Sequence, residues 1–124
     1  ALTLAKALEE LAGITVNYPG LESSPYKPLV DEQFGGLGGA ILTIRAGSRE
    51  KAFKLINSLK YAHIATNIGD LRTLVIHPSS TIYLHSTKEE QEHAGVYEDT
   101  IRISVGIEDV EDLIADFTQA IENI

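Results

Sequence analysis

The sequence predicts an α+β domain in which helices pack on one face of a small, mostly antiparallel sheet. Two patterns support this prediction. Residues 100–105 alternate between polar and apolar side chains, as a half-buried strand does. From Val110 to Ile124, apolar residues recur at helical spacing, as in a helix that buries one side. No internal repeat or linker divides the 124 residues, so one domain is expected.

Five elements are predicted in the first half of the chain, from apolar spacing and from the residues that begin or end them. Gly13 is placed to end the first helix, and Ser48 can cap the third. Ser24 and Pro25 predict the start of a short second helix. In chain order the elements are a helix over 2–12, a strand over 14–18, a helix from Pro25 to about Phe34, a strand over 40–45 and a helix over 49–59.

The second half is predicted to add two strands, a short helix, a further strand and a long helix. Thr87 and Glu90 form a capping-box pattern that begins the short helix, and Gly95 ends it. The acidic run 108–112 lies where the last helix begins, and the helix dipole favours negative charge there. In chain order the ranges are 61–65, 73–76, 88–94, 100–105 and 110–124.

Composition restricts the classes of function. The chain has 18 acidic and 10 basic residues, a net charge of −8, and residues 88–124 contain only two of the basic ones. Without a basic stripe the chain lacks the main attraction for nucleic acid. No apolar run approaches the roughly 20 residues that a membrane span needs. We therefore expect a cytoplasmic protein with neither nucleic acid nor membrane as a partner. The absence of cysteine excludes disulfides and thiolate nucleophiles.

Most motifs that resemble functional sites have simpler interpretations. The glycines over 35–39 lack the third glycine of a dinucleotide loop, and a strand follows them. The four histidines lack metal-ligand spacing, and His77 is expected to hydrogen-bond the turn at 79–81. The acidic run 108–112 lacks the spacing of a calcium loop. Lys60 is expected to be a solvated helix-end lysine. No metal site and no catalytic residue is predicted in this chain.

Arg102 is the one candidate binding residue that the pattern itself indicates. It is the only cation after Lys88 and lies mid-strand, on the polar side. A guanidinium is suited to bidentate recognition of a carboxylate. The alternative is a solvated arginine that pairs weakly with Glu98 or Glu111, and from the residues alone this alternative is the simpler one.

Three stretches together change that balance. They are residues 16–25, residues 65–81 with the segment His77-Pro78-Ser79-Ser80-Thr81, and residues 101–109 with the segment Arg102-Ile103-Ser104-Val105-Gly106-Ile107-Glu108-Asp109. In this order the chain resembles the C-terminal domain of the pyridoxal 5'-phosphate (PLP) enzymes of cysteine and methionine metabolism. Residues 67–70 and the helix around Glu89 are most similar to the O-acetylhomoserine sulfhydrylase branch.

The resemblance implies a role for two residues. The family's carboxylate-binding arginine falls on Arg102. Its companion position, often serine, falls on Asn67, an exchange that keeps a backbone contact and removes the hydroxyl. Both residues are therefore expected to bind the substrate. An amino-acid carboxylate held in this way is fixed in geometry above the cofactor.

The resemblance also implies what the chain lacks. The family's phosphate-binding residues, its ring-stacking tyrosine and its Schiff-base lysine all precede this domain. None of the six lysines lies in the family's S-x-T-K context. Residues 1–124 are therefore expected to be a substrate-carboxylate-binding domain excised from a longer chain. The fragment alone should bind no PLP and have no turnover, whereas the longer protein would hold PLP and form a homotetramer through its larger domain.

Several functions stay open from the sequence. The first is a sulfhydrylase fragment, whose longer protein replaces the acetate of O-acetylhomoserine with sulfide to give homocysteine. Cystathionine gamma-synthase, cystathionine lyase and methionine gamma-lyase are alternatives within the same family. A stand-alone α+β module that binds an amino-acid effector, and an acidic protein-interaction domain, belong to other classes.

Overall fold

The structure, a computed structural model, describes residues 1–124. Its elements alternate along the chain much as the sequence predicts. They are α1 (Leu2–Glu9), β1 (Thr15–Asn17), α2 (Lys27–Phe34), β2 (Ile41–Arg45), α3 (Arg49–Ser58), β3 (His63–Ile64), β4 (Leu74–Ile76), a 3-10 turn (Pro78–Ser80), α4 (Lys88–His93), β5 (Thr100–Ser104) and α5 (Val110–Glu122).

The five strands form one sheet in the order β1-β2-β5-β4-β3. All neighbouring pairs are antiparallel except β3 and β4, which run parallel with His63 opposite Leu74. The prediction of an α+β domain with a mostly antiparallel sheet is therefore confirmed. The central strand β5 pairs with β2 on one side and β4 on the other, so residues on β5 lie in the middle of the sheet.

One face of the sheet carries the hydrophobic core. Alternate residues of the central strands point to this face, where helices α1, α3 and α5 cover them. The α5 residue Phe117 is completely buried in this cluster, as its helical spacing predicts. The core side chains from the sheet are Leu42, Ile44, Val75, Ile101 and Ile103. The helices that form the core thus lie on one side, and the polar residues of β5 face away from them.

Two predicted helix starts are confirmed by their caps. The Ser48 hydroxyl accepts a hydrogen bond of 3.2 Å from the backbone N–H of Lys51. The Thr87 hydroxyl accepts one of 3.2 Å from the backbone of Glu90, whose carboxylate in turn accepts one of 2.7 Å from the backbone of Thr87. These side chains satisfy N–H groups that a helix leaves without partners in its first turn.

Other boundaries differ from the prediction. Helix α1 ends at Glu9 rather than near residue 12, and Gly13 then turns the chain at φ +87°. Helix α2 begins at Lys27, because Pro28 fits a first turn and no later position. Ser24 instead accepts a hydrogen bond of 3.2 Å from Tyr26 in the preceding turn. None of the helices has the length and apolarity needed to cross a membrane.

Candidate functional site

Arg102 lies on the face of the sheet opposite the core helices. Its neighbours Ile101 and Ile103 are fully buried among those helices, whereas Arg102 is half-buried. In the strand register it stands between Thr43 of β2 and Ile76 of β4, and Thr43 in turn stands opposite Asn17 of β1. Asn17, Thr43 and Arg102 therefore form a polar row across three strands.

This row forms the floor of an open cleft of about 310 Å³. The volume is within the range of small-molecule sites. Arg102 is the only charged residue among those that line the cleft, and no carboxylate lines it. An anion is therefore favoured here over a cation. The lining residues are Asn17, Thr43, Pro78, Ile82, Tyr83, Ala94, Gly95, Val96, Thr100 and Arg102.

The Arg102 guanidinium has no carboxylate partner. None of the ion pairs in the structure includes it. Glu98 instead binds Arg49 at 2.7 Å, a hydrogen bond that helps to hold the pKa of Glu98 below its usual range. The alternative of a surface pair with Glu98 or Glu111 is therefore wrong. A guanidinium has five N–H donors, so most of them can still meet a ligand.

Asn67 approaches Arg102 through its backbone. The Arg102 Nη2 donates a hydrogen bond of 3.2 Å to the Asn67 carbonyl oxygen. The Asn67 side chain accepts a bond of 3.0 Å from its neighbour Ile68 and is not among the cleft residues. Two residues further along, the backbone N–H of Gly69 donates a hydrogen bond of 3.1 Å to the Ser104 hydroxyl. The structure thus brings the two predicted site residues together, with Asn67 beside the cleft.

The motif that begins at Arg102 fastens the loop that carries Asn67. Glu108 accepts hydrogen bonds from the backbone N–H and the hydroxyl of Thr73, at 2.6 and 2.8 Å. Gly106 passes so close to this loop that a Cβ would overlap the backbone of Leu71 and Arg72. Alternate motif residues therefore all contact residues 67–73, which gives a physical reason for the spacing R-x-S-x-G-x-E.

Glu108 is stabilised in its charged form. Burial opposes its ionisation, but the hydrogen bonds that it accepts, chiefly from the backbone and hydroxyl of Thr73, outweigh burial. The pKa of Glu108 therefore lies below its ordinary value. The next residue, Asp109, caps α5 by accepting a hydrogen bond of 2.9 Å from Glu111. The prediction that this acidic run stabilises a helix start is confirmed for Asp109, whereas Glu108 has a separate task.

The Arg102 cleft contains no lysine that could form a Schiff base with PLP. A Schiff-base lysine must lose its proton and face the cofactor. Five of the six lysines are exposed, and Lys27 is bound to Asp31 at 2.6 Å, a hydrogen bond that raises the pKa of Lys27 and favours its charged form. No group of three or more histidine, aspartate or glutamate side chains is arranged to hold a metal ion.

Three of the residues that line the cleft are not predicted by the sequence as part of a site: Asn17, Thr43 and Tyr83. Asn17 and Thr43 alternate with the more buried Val16, Leu42 and Ile44 on β1 and β2, so the alternation could have placed them on the same face as Arg102. Nothing in the sequence pattern indicates that Tyr83 approaches that face. His77 does bind the following turn, as predicted, through the Ser80 hydroxyl at 2.8 Å.

Comparison with known proteins gives one consistent result. Residues 1–122 match the family described as Cys/Met metabolism PLP-dependent enzymes. The chain is 45% identical over 124 residues to the homocysteine synthase of Schizosaccharomyces pombe, covering 98% of this chain and 29% of that protein. It is 43% identical over 115 residues to the O-acetyl-L-homoserine sulfhydrylase 1 of Thermus thermophilus, covering 92% of this chain and 27% of that protein. L-methionine gamma-lyases are also among the relatives.

Solved structures show the same fold. A Campylobacter jejuni structure with N'-pyridoxyl-lysine-5'-monophosphate at its position 205 superposes with a TM-score of 0.90 at 36% identity, covering 98% of this chain and 30% of that one. The chain thus spans about 30% of the length of the proteins it matches. The resemblance read from residues 16–25, 65–81 and 101–109 is confirmed, and the chain belongs to the family of PLP-dependent enzymes of cysteine and methionine metabolism.

Proposed function

We propose that residues 1–124 are the C-terminal domain of a PLP-dependent enzyme that resembles O-acetylhomoserine sulfhydrylase. The longer protein would replace the acetate of O-acetylhomoserine with sulfide and release homocysteine. The observation that supports this most directly is Arg102, the only charged group in a cleft without carboxylates. Family membership and the names of the relatives support the reaction class.

Within this enzyme the domain would bind and orient the substrate. The Arg102 guanidinium would grip the α-carboxylate of the amino acid through two parallel N–H···O bonds. The Asn67 carbonyl would hold the guanidinium in place, and the backbone beside it would border the carboxylate. The PLP, which supplies the electron sink for the chemistry, would be held by the part of the longer protein outside these residues.

The reaction can be tested on the longer protein. With PLP, O-acetylhomoserine and sulfide, homocysteine and acetate should form in equal amounts, and omission of sulfide should stop homocysteine formation. Release of methanethiol from L-methionine, without homocysteine formation, would instead assign the elimination reaction of a methionine gamma-lyase. The L-methionine gamma-lyases among the relatives make this the second candidate. Cystathionine as product or substrate would assign the synthase or lyase of that name.

A stand-alone amino-acid-binding module predicts a different result. The 124-residue chain alone would then bind an amino acid saturably in a calorimeter. Under the enzyme proposal the isolated chain binds neither PLP nor amino acid saturably and has no turnover, since only one side of the site is present. Saturable binding with a 1:1 ratio would contradict the enzyme proposal.

The remaining partners are also proposals. The longer protein would be cytoplasmic and homotetrameric through its larger domain, as the family resemblance implies. The net charge of −8 supports the absence of a nucleic-acid partner. Gel filtration with light scattering would measure the assembly state.

A further inference from the structure

Residues 78–97 leave the sheet after β4, return before β5, and form one wall of the Arg102 cleft. The wall residues are Pro78, Ile82, Tyr83, Ala94, Gly95 and Val96. Hydrogen bonds within the segment maintain its shape: the Gln91 amide donates to the backbone oxygens of Tyr83 and Ser86 at 2.9 and 3.3 Å. These bonds tie α4 to the turn over 83–86. The two ends of the segment meet at its base, where residues 77 and 98 are joined by a hydrogen bond.

His77 lies at this base and is 3% exposed. Its Nε2 is 2.8 Å from the Glu98 carbonyl oxygen, and its Nδ1 is 2.8 Å from the Ser80 hydroxyl. A carbonyl oxygen only accepts, so Nε2 donates to Glu98, while Nδ1 and the Ser80 hydroxyl share the second hydrogen bond. The ring packs on Phe53 of α3, with 4.7 Å between the ring centroids. The His77 side chain thus contacts the start of the segment at Ser80, the residue that follows its end at Glu98, and helix α3 at Phe53.

The position of His77 connects this junction to Arg102. The residue before it, Ile76, is the strand partner of Arg102, and the residue after it, Pro78, lines the cleft. His77 thus lies between a strand partner of Arg102 and a residue that lines the cleft. Asp99, just beyond the segment, is held independently of His77, because it accepts hydrogen bonds from Arg45 at 2.9 Å and from the backbone of Gly47 at 3.0 Å.

We propose that His77 is a positioning residue for the amino-acid substrate. It holds the wall formed by residues 78–97 at a fixed distance from Arg102, so that the cleft retains the width that a carboxylate-bearing ligand needs. His77 does not line the cleft, so it would act through the wall rather than by contact with the substrate. This inference rests on the proposed binding of the substrate carboxylate by Arg102.

The test compares three replacements in the longer protein with PLP. His77→Gln retains an N–H donor that reaches Glu98, His77→Asn retains a short partner for Ser80, and His77→Leu retains neither. We expect His77→Leu to raise the KM for the amino-acid substrate about tenfold and to leave kcat within about twofold, since positioning before the reaction is lost. His77→Gln should recover most of the wild-type KM. His63→Gln, an exposed change on β3 outside the wall, is the matched control and should leave KM unchanged.

KM distinguishes positioning from a purely structural role, because it does not depend on the fraction of enzyme that is folded. A lower Tm with an unchanged KM in His77→Leu would overturn the proposal. If His77→Leu fails to fold, the remaining pair decides: a higher KM in His77→Asn than in His77→Gln supports it, and equal values overturn it. Arg102→Gln is the reference: if it also leaves KM unchanged, the carboxylate site itself is wrong, whereas an effect of Arg102→Gln alone refutes only the role of His77.

Discussion

The Arg102 guanidinium and the Asn67 carbonyl oxygen are joined by a hydrogen bond of 3.2 Å, although 35 positions separate them in the sequence. This bond uses one of the five N–H donors of the guanidinium and leaves the others for a ligand. An arginine held in this way loses less side-chain entropy when a ligand binds, which favours tight and oriented carboxylate recognition.

Replacement of Arg102 should mainly weaken substrate binding. In the longer protein, Arg102→Gln removes the bidentate donor and should lower kcat/KM, chiefly through a higher KM. The loss of transition-state stabilisation calculated from kcat/KM should be about 2–4 kcal/mol. Lys54→Gln is the control, because it removes the same charge from an exposed position on α3. Unchanged kinetics in Arg102→Gln, or an equal loss in both variants, would remove Arg102 from the binding site.

The side chain of Asn67 should matter little. Arg102 contacts its backbone, and the side chain bonds only to its neighbour Ile68. Asn67→Ala should therefore change the transition-state free energy calculated from kcat/KM by less than about 0.5 kcal/mol, a change as small as those that exposed substitutions generally cause. Steady-state kinetics of the longer protein measure this. A loss of tenfold or more would mean that the amide itself contacts the substrate.

Truncation of Phe117 should strongly destabilise the fold, because this side chain is fully buried beneath the sheet. Phe117→Ala leaves a cavity, and the free energy of unfolding should fall by about 3–5 kcal/mol. Ile107→Ala is the comparison, because Ile107 is 77% exposed and its truncation leaves no cavity. Urea denaturation of both variants gives the two values. Similar losses would show that Phe117 is not in a packed core.

Acid should weaken the attachment of the Asn67 loop through Glu108. Its pKa is depressed in the folded protein, so its contribution to stability is complete above its ordinary value of 4.5 and is lost as the pH falls through the lower folded value. The urea midpoint of the wild type should therefore fall below pH 4.5 more steeply than that of Glu108→Gln. The exposed Glu122→Gln serves as control and should follow the wild type. Parallel curves for Glu108→Gln and the wild type would contradict this assignment.

The sequence predicts most of the fold because the signals are local. The caps at Ser48 and Thr87, the alternation on β5 and the stripe on α5 all depend on residues a few positions apart. The parallel pairing of β3 with β4 depends on where the loop between them lies, and nothing within those short strands determines it. Helix α2 starts later than predicted because Pro28 outweighs the cap signal at Ser24.

The site could be predicted only in part, because it depends on contacts between residues far apart in the sequence. The residues identify Arg102, and its freedom from Glu98 follows from the position of Arg49 on another element. The wall of the cleft comes from residues 78–97, whose two ends are joined by the buried contacts of His77. These contacts join residues that are 3 and 21 positions apart, and no periodic pattern encodes the longer one.

A crystal structure of the longer protein with PLP and a bound amino-acid substrate tests the central claim most directly. The two carboxylate oxygens should lie about 2.7–2.9 Å from nitrogens of the Arg102 guanidinium, with the bond from Arg102 to the Asn67 carbonyl retained. A substrate carboxylate bound by other residues, beyond hydrogen-bond distance of Arg102, would contradict the account.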